Sequence, residues 1–86
     1  MKIIKVSSKS NPNLVSGAII NILKEDGELE MHTIGAGALN QAVKALSIAR
    51  GYLKISDLDL NCKPTFFELV LNEEEKTGIK LIVKLD

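Results

Sequence analysis

Three short features of this chain could do chemistry: a lone histidine, His32, a lone cysteine, Cys62, and the glycine pair of Gly35-Ala36-Gly37. One His and one Cys cannot build a tetrahedral zinc site unless carboxylates or a second chain contribute. His32 lies in a predicted strand with no partner acid or nucleophile nearby in sequence, and reads as an ordinary strand residue. Cys62 alternates in phase with Leu58 and Leu60, which marks it as a small buried hydrophobe. The adjacent carboxylates Glu73, Glu74 and Glu75 stand at a predicted hairpin tip, where water screens them and no pocket raises a pKa. No catalytic set, metal set or cofactor fingerprint emerges. The expectation is a protein that is not an enzyme and carries no cofactor.

Gly35-Ala36-Gly37 is more informative. Glycines at a strand-to-helix turn let the backbone approach a ligand closely, and the first free amides of a helix favour an anion. Neither the Walker lysine with its Ser/Thr nor the full dinucleotide fingerprint accompanies them, so a tight turn explains them equally well. Charge adds a second clue. Lysine plus arginine and aspartate plus glutamate both number 11, which excludes a uniformly basic nucleic-acid coat. Residues 1–24 nevertheless hold Lys2, Lys5, Lys9 and Lys24 with no acid, while residues 57–75 hold six acids against Lys63. The chain is neutral but dipolar. With Tyr52, Phe66 and Phe67 its only aromatics, a base-stacking platform is not expected.

The elements that must position these residues follow from periodicity. Residues 2–6 alternate with β-branched side chains and read as a strand. Asn11-Pro12 opens a helix, on which Leu14, Val15, Ala18, Ile19, Ile22 and Leu23 define one apolar face and Gly27 supplies a left-handed stop. Residues 29–34 read as a second strand. A second helix then carries Leu39, Ala42, Val43, Leu46, Ala49 and Leu53 on one face. In the last third, Leu58, Leu60 and Cys62 point inward at even positions, but Phe67, Leu69 and Leu71 do so at odd ones. That parity switch predicts a bulge or break at Pro64. Residues 72–78 read as a charged hairpin connection, and Ile79, Leu81, Val83 and Leu85 as the returning strand. The order β-α-β-α-β-β predicts an α/β two-layer sandwich, a mixed sheet with two helices on one face.

A chain of 86 residues, 45% hydrophobic and 26% charged, is expected to form a single domain over residues 1–86. One cysteine cannot make an internal disulfide, no apolar run approaches a membrane span, and the start is no signal peptide. A cytoplasmic location with no membrane partner is expected. The second helix carries Ala45, Ile48 and Tyr52 outside its sheet-facing stripe, and the first carries Ile20 outside its own. Small monomers seldom leave such area in water, so these four residues predict a homo-oligomer, dimer or higher.

The run IGAGALNQAVKALSIARG at residues 34–51 closely resembles the stage V sporulation protein S family. So do KVS at 5–7, KSNPNLVSGA at 9–18 and EKTGIKLIV at 75–83, which together cover nearly the whole chain in order. The family is associated with regulating spore development, and it is similar to a bacterial branch of the Alba-like fold. Archaeal Alba proteins are small dimeric chromatin and RNA-binding proteins of the same element order. The resemblance implies a nucleic-acid surface at Ser8, Lys9 and Ser10, at Gly35, Ala36 and Gly37, and at the hairpin of residues 72–78, and Asn40 and Lys44 behind Gly37 are expected to add phosphate contacts. Two departures stand out. Glycine and alanine occupy a turn where Alba proteins usually carry arginine, and the hairpin tip is acidic where theirs is basic.

The leading expectation is a sporulation-type regulator that is homo-oligomeric and binds DNA or RNA weakly, without sequence preference. The alternative is an interaction module that recruits a protein partner through the hairpin of Glu73, Glu74 and Glu75. A third class is a sensor that holds a nucleotide phosphate on the Gly35 to Gly37 amides.

Overall fold

Short-range chemistry sets the element boundaries. The computed structural model describes residues 1–86 as β1 (Lys2–Val6), α1 (Pro12–Asp26), β2 (Glu28–Thr33), α2 (Ala36–Ile55), β3 (Leu60–Leu71) and β4 (Glu74–Leu85). Oδ1 of Asn11 accepts from the amides of Asn13 at 2.9 Å and Leu14 at 3.4 Å, and Pro12 follows at the first helical position, where no bond is lost. Gly27 ends α1 at φ 78, its amide donating to the Leu23 carbonyl at 2.9 Å.

The strands form one mixed sheet in the order β1-β2-β4-β3, with β1 parallel to β2 and the other neighbours antiparallel. Leu29 and Met31 of β2 and Leu81 and Val83 of β4 turn to the face covered by both helices. Ile19 and Leu23 of α1 and Ala42, Ala45, Ala49 and Leu53 of α2 close that core. Three alanines on α2 let the two helices pack closely on each other. Arg50 and Asp59 then clamp α2 to the approach of β3, with Nε–Oδ1 at 2.7 Å and Nη2–Oδ2 at 3.1 Å.

Three details of the pattern differ from expectation. The buried stripe of α1 is Ser16, Ile19 and Leu23, whereas Leu14 and Ala18 are exposed. Ser16 is accepted there because its Oγ donates to the Asn13 carbonyl at 2.7 Å. On α2, Ala45 lies inside and Val43 outside, so the apolar face is rotated from the one the spacing predicts. Helix–helix contact takes small residues that a hydrophobicity pattern underweights.

The third difference is larger. No bulge interrupts β3: its pairing with β4 runs without a slip from Leu60↔Leu85 through Pro64↔Leu81 to Leu71↔Glu74. Proline is tolerated because β3 is an edge strand, with one side free of ladder bonds. The parity switch reflects a change of face. Leu60 and Cys62 face the helices, whereas Phe67, Leu69 and Leu71 lie on the opposite face, beyond the last β2–β4 pair at Thr33↔Ile79. Residues 67–78 thus form a two-stranded arm that extends past the sheet.

The arm also ends more tightly than expected. Its connection is only Asn72 and Glu73, at φ 52 and 64, a type I′ turn, and Glu74 to Gly78 already belong to β4. Gly78 is therefore a strand residue. It is buried within the ladder opposite Phe67, where a Cβ would meet the Phe67 ring and the Thr33 carbonyl oxygen, each at 2.6 Å.

Candidate nucleic-acid interface

The loop after β1 is tied by its own serines. The Ser7 amide donates to Ser10 Oγ at 2.9 Å, the Lys9 amide to Ser7 Oγ at 3.2 Å, and the Ser10 amide to the Ser7 carbonyl at 3.1 Å. Lys9 is held exposed at the crest. The same loop rests on the start of α2. A Cβ on Gly37 would stand 2.9 Å from Ser8 Cβ, so glycine is what allows the approach. Gln41 completes the junction by donating from Nε2 to the Ser10 carbonyl at 2.9 Å. The predicted elements at residues 8–10 and 35–37 are thus in direct contact. Gln41 was not among the candidates, since its role depends on a partner 31 positions away.

Only Gly35 of the glycine pair lies outside the helix. It sits at φ 87 and ψ 159 as the N-cap, and no side chain caps the first amides of α2. Ala36 and Gly37 form the first helical turn. At 100° per residue, Asn40 and Lys44 follow Gly37 on one side of the helix, and both are exposed. Lys9 and Lys44 make no ion pair, nor does Lys5 near the loop, and no acid is bonded to the loop. Lys2 belongs to a different environment. It lies 3.5 Å from both Glu25 and Asp26, and the Asp26 charge above all, with the Glu25 bond, pushes its pKa up. The lysines around the loop are therefore free of acidic partners.

The arm rises from the same end as the loop. Its tip is acidic: Glu74 pairs with Lys76 at 3.1 Å, while Glu68, Glu73 and Glu75 have no cationic partner. Its flanks are apolar, with Val70 and Leu71 in solvent, and Phe66 at its base is 77% exposed.

His32 does have an acid. Its Nε2 lies 3.0 Å from Glu30 Oε1, because residues two apart share one face of a strand, and its ring stands 4.8 Å from that of Phe67. The bond to His32, with lesser help from Lys80, holds the Glu30 carboxyl below the usual carboxylate range. Cys62 is a free, half-buried thiol whose pKa burial raises. No three His, Cys, Asp or Glu side chains gather as a metal cluster. No helix is long and apolar enough to cross a membrane.

The four residues expected at an oligomer contact separate. Ala45 is 0% exposed and offers no surface, because it packs in the chain's own core. Ile20 is half-buried against that core. Ile48 is half-buried and Tyr52 62% exposed, and Ile55, one turn further and 82% exposed, extends their patch.

The model of one protein family, described as Stage V sporulation protein S (SpoVS), matches residues 2–86. Among solved structures, Alba from Thermoplasma volcanium is similar at a TM-score of 0.66 and 16% sequence identity, over 99% of this chain and 99% of that one. At that identity the likeness concerns the fold.

Proposed function

This chain belongs to the stage V sporulation protein S family, and we propose that within its Alba-like fold it acts as a sporulation regulator that binds nucleic acid weakly and without sequence preference. The observation that carries this reading is the junction of loop and helix. Ser8 against Gly37 and Gln41 on Ser10 bring the unpaired Lys9 beside an uncapped helix start, with Asn40 and Lys44 along the same side. Lysines as point charges, serine hydroxyls and helix amides are phosphate contacts and carry no base information. Neither an arginine fork nor an aromatic platform stands beside them, so discrimination among sequences is small.

The protein works as a homo-oligomer in the cytoplasm, and the patch of half-buried Ile48 with exposed Tyr52 and Ile55 on α2 supplies a contact between copies. Placing copies side by side multiplies the few lysines of each. A mobility-shift assay against duplex DNA, RNA and heparin tests the binding. Retardation of all three at low salt is expected, and no shift of any of them would overturn it. One observation favours a second reading. The arm joins unpaired Glu73 and Glu75 to exposed Val70 and Leu71, which suits a basic, apolar protein partner. Binding to such a partner with no shift of nucleic acid would select that reading.

A further inference from the structure

A groove of about 410 Å³ opens at the junction of the arm and the sheet, on the face away from the helices. Phe67, Leu69 and Leu71 of the arm form one wall, Ile34 adds to the apolar floor, and Lys5 and Ser8 stand on the rim beside the Lys9 loop. No part of the chain covers it. Lys5 and Lys9 have no acidic partner, while Glu73 and Glu75 at the arm tip have no cationic one. Residues 67–78 carry four acids and one lysine, and residues 5–10 two lysines and no acid. Within one chain the two sets stay unpaired with each other. The tip lies five residues beyond Gly78, about 16 Å at the usual strand rise, on a paired ribbon that does not bend back to its own base.

We propose that this groove receives the arm tip of a second copy of the chain, in a reciprocal exchange about a two-fold axis. Arm and groove share one end of the molecule, so two copies overlapping end to end place each arm in the other's groove, an isologous contact that closes on itself. Leu71 and Leu69 of one arm meet the apolar wall of the other, and Glu73 and Glu75 meet Lys5 and Lys9. The exchange covers Lys9. If that lysine also contacts phosphate, as proposed above, the contact masks the nucleic-acid surface and is displaced when nucleic acid binds. The exchange itself depends only on the two charge sets.

Charge reversal tests it without nucleic acid. In E73K/E75K both arm and groove are positive, and in K5E/K9E both are negative. Each variant alone is expected to lose the exchange, which halves the assembly mass relative to wild type by light scattering at low salt. An equal mixture restores it, because each arm then meets a groove of opposite charge. All four positions are exposed, so the folds should persist, and a circular dichroism melt of each variant checks this. Unchanged mass in both single variants, or a mixture that stays at half mass, would overturn the proposal. A failed mobility shift would leave this result intact, so the two readings fail separately.

Discussion

The ring of Phe67 lies over Gly78, its partner across the arm, so closely that a Cβ on Gly78 would stand 2.6 Å from the ring edge. A ring filling the space over a strand glycine restores the packing that glycine forfeits. Phe67 also lies 4.8 Å from the His32 ring, which links the base of the arm to the sheet. Gly78→Ala should therefore destabilise the protein by about 1–3 kcal/mol, the usual range for overpacking, since the Thr33 carbonyl on the other side cannot yield. A urea titration measures this, and an unchanged midpoint would show that both the ring and the Thr33 carbonyl can give way.

At the other end of the arm the sign reverses. Glu73 holds φ 64 in the type I′ turn, a conformation that costs a residue with a side chain about 1 kcal/mol. At a salt concentration that screens the pairing proposed for Glu73 between copies, Glu73→Gly should raise the melting temperature by about 4 °C. A fall at that salt would mean that the side chain stabilises the turn by more than its backbone strain costs.

Arg50 and Asp59 predict a pH window. The Arg50 bonds first, and the Leu60 amide second, lower the Asp59 pKa from 3.8 to about 2. A carboxylate with a depressed folded pKa stabilises above its unfolded value and loses that stabilisation as pH falls through the folded one. Asp59→Asn should lower the melting temperature by a few degrees at pH 7. The gap between variant and wild type should close as pH falls from 3.8 to about 2. A gap independent of pH would assign the effect to packing.

In the proposed binding of nucleic acid, two lysines per copy set the response to salt. Each phosphate neutralised on B-DNA adds about −0.9 to the slope of log affinity against log salt, so Lys9 and Lys44 give about −2 per copy. Lys9→Ala should reduce the slope by about 1 and weaken all sequences alike. A slope unchanged in Lys9→Ala would place the phosphate contact elsewhere.

Local rules made much of this legible in the sequence, and long-range packing hid the rest. Asn11, Pro12 and Gly27 bound α1 by backbone chemistry alone, which needs no knowledge of neighbours. The element order and the loop and turn of the interface followed from such signals and from the family resemblance. The arm did not. Neither face of residues 67–78 packs on a helix, so β4 shows no alternation there and reads as a loop. Ala45 was placed outside the core for a related reason: contact between helices favours small residues, and hydrophobicity does not mark them. Gln41 depends on a backbone carbonyl far away in sequence, and no pattern announces it.

The proposed function turns on the Lys9 loop and the start of α2 acting as one phosphate-binding surface. Amide chemical-shift mapping during titration with a short DNA duplex at low salt tests it most directly. The largest changes are expected at residues 8–10 and 36–38 and at Lys44, with α1 and the patch around Tyr52 unaffected. Changes confined to the arm or to the Tyr52 patch, or none at saturating duplex, would contradict it.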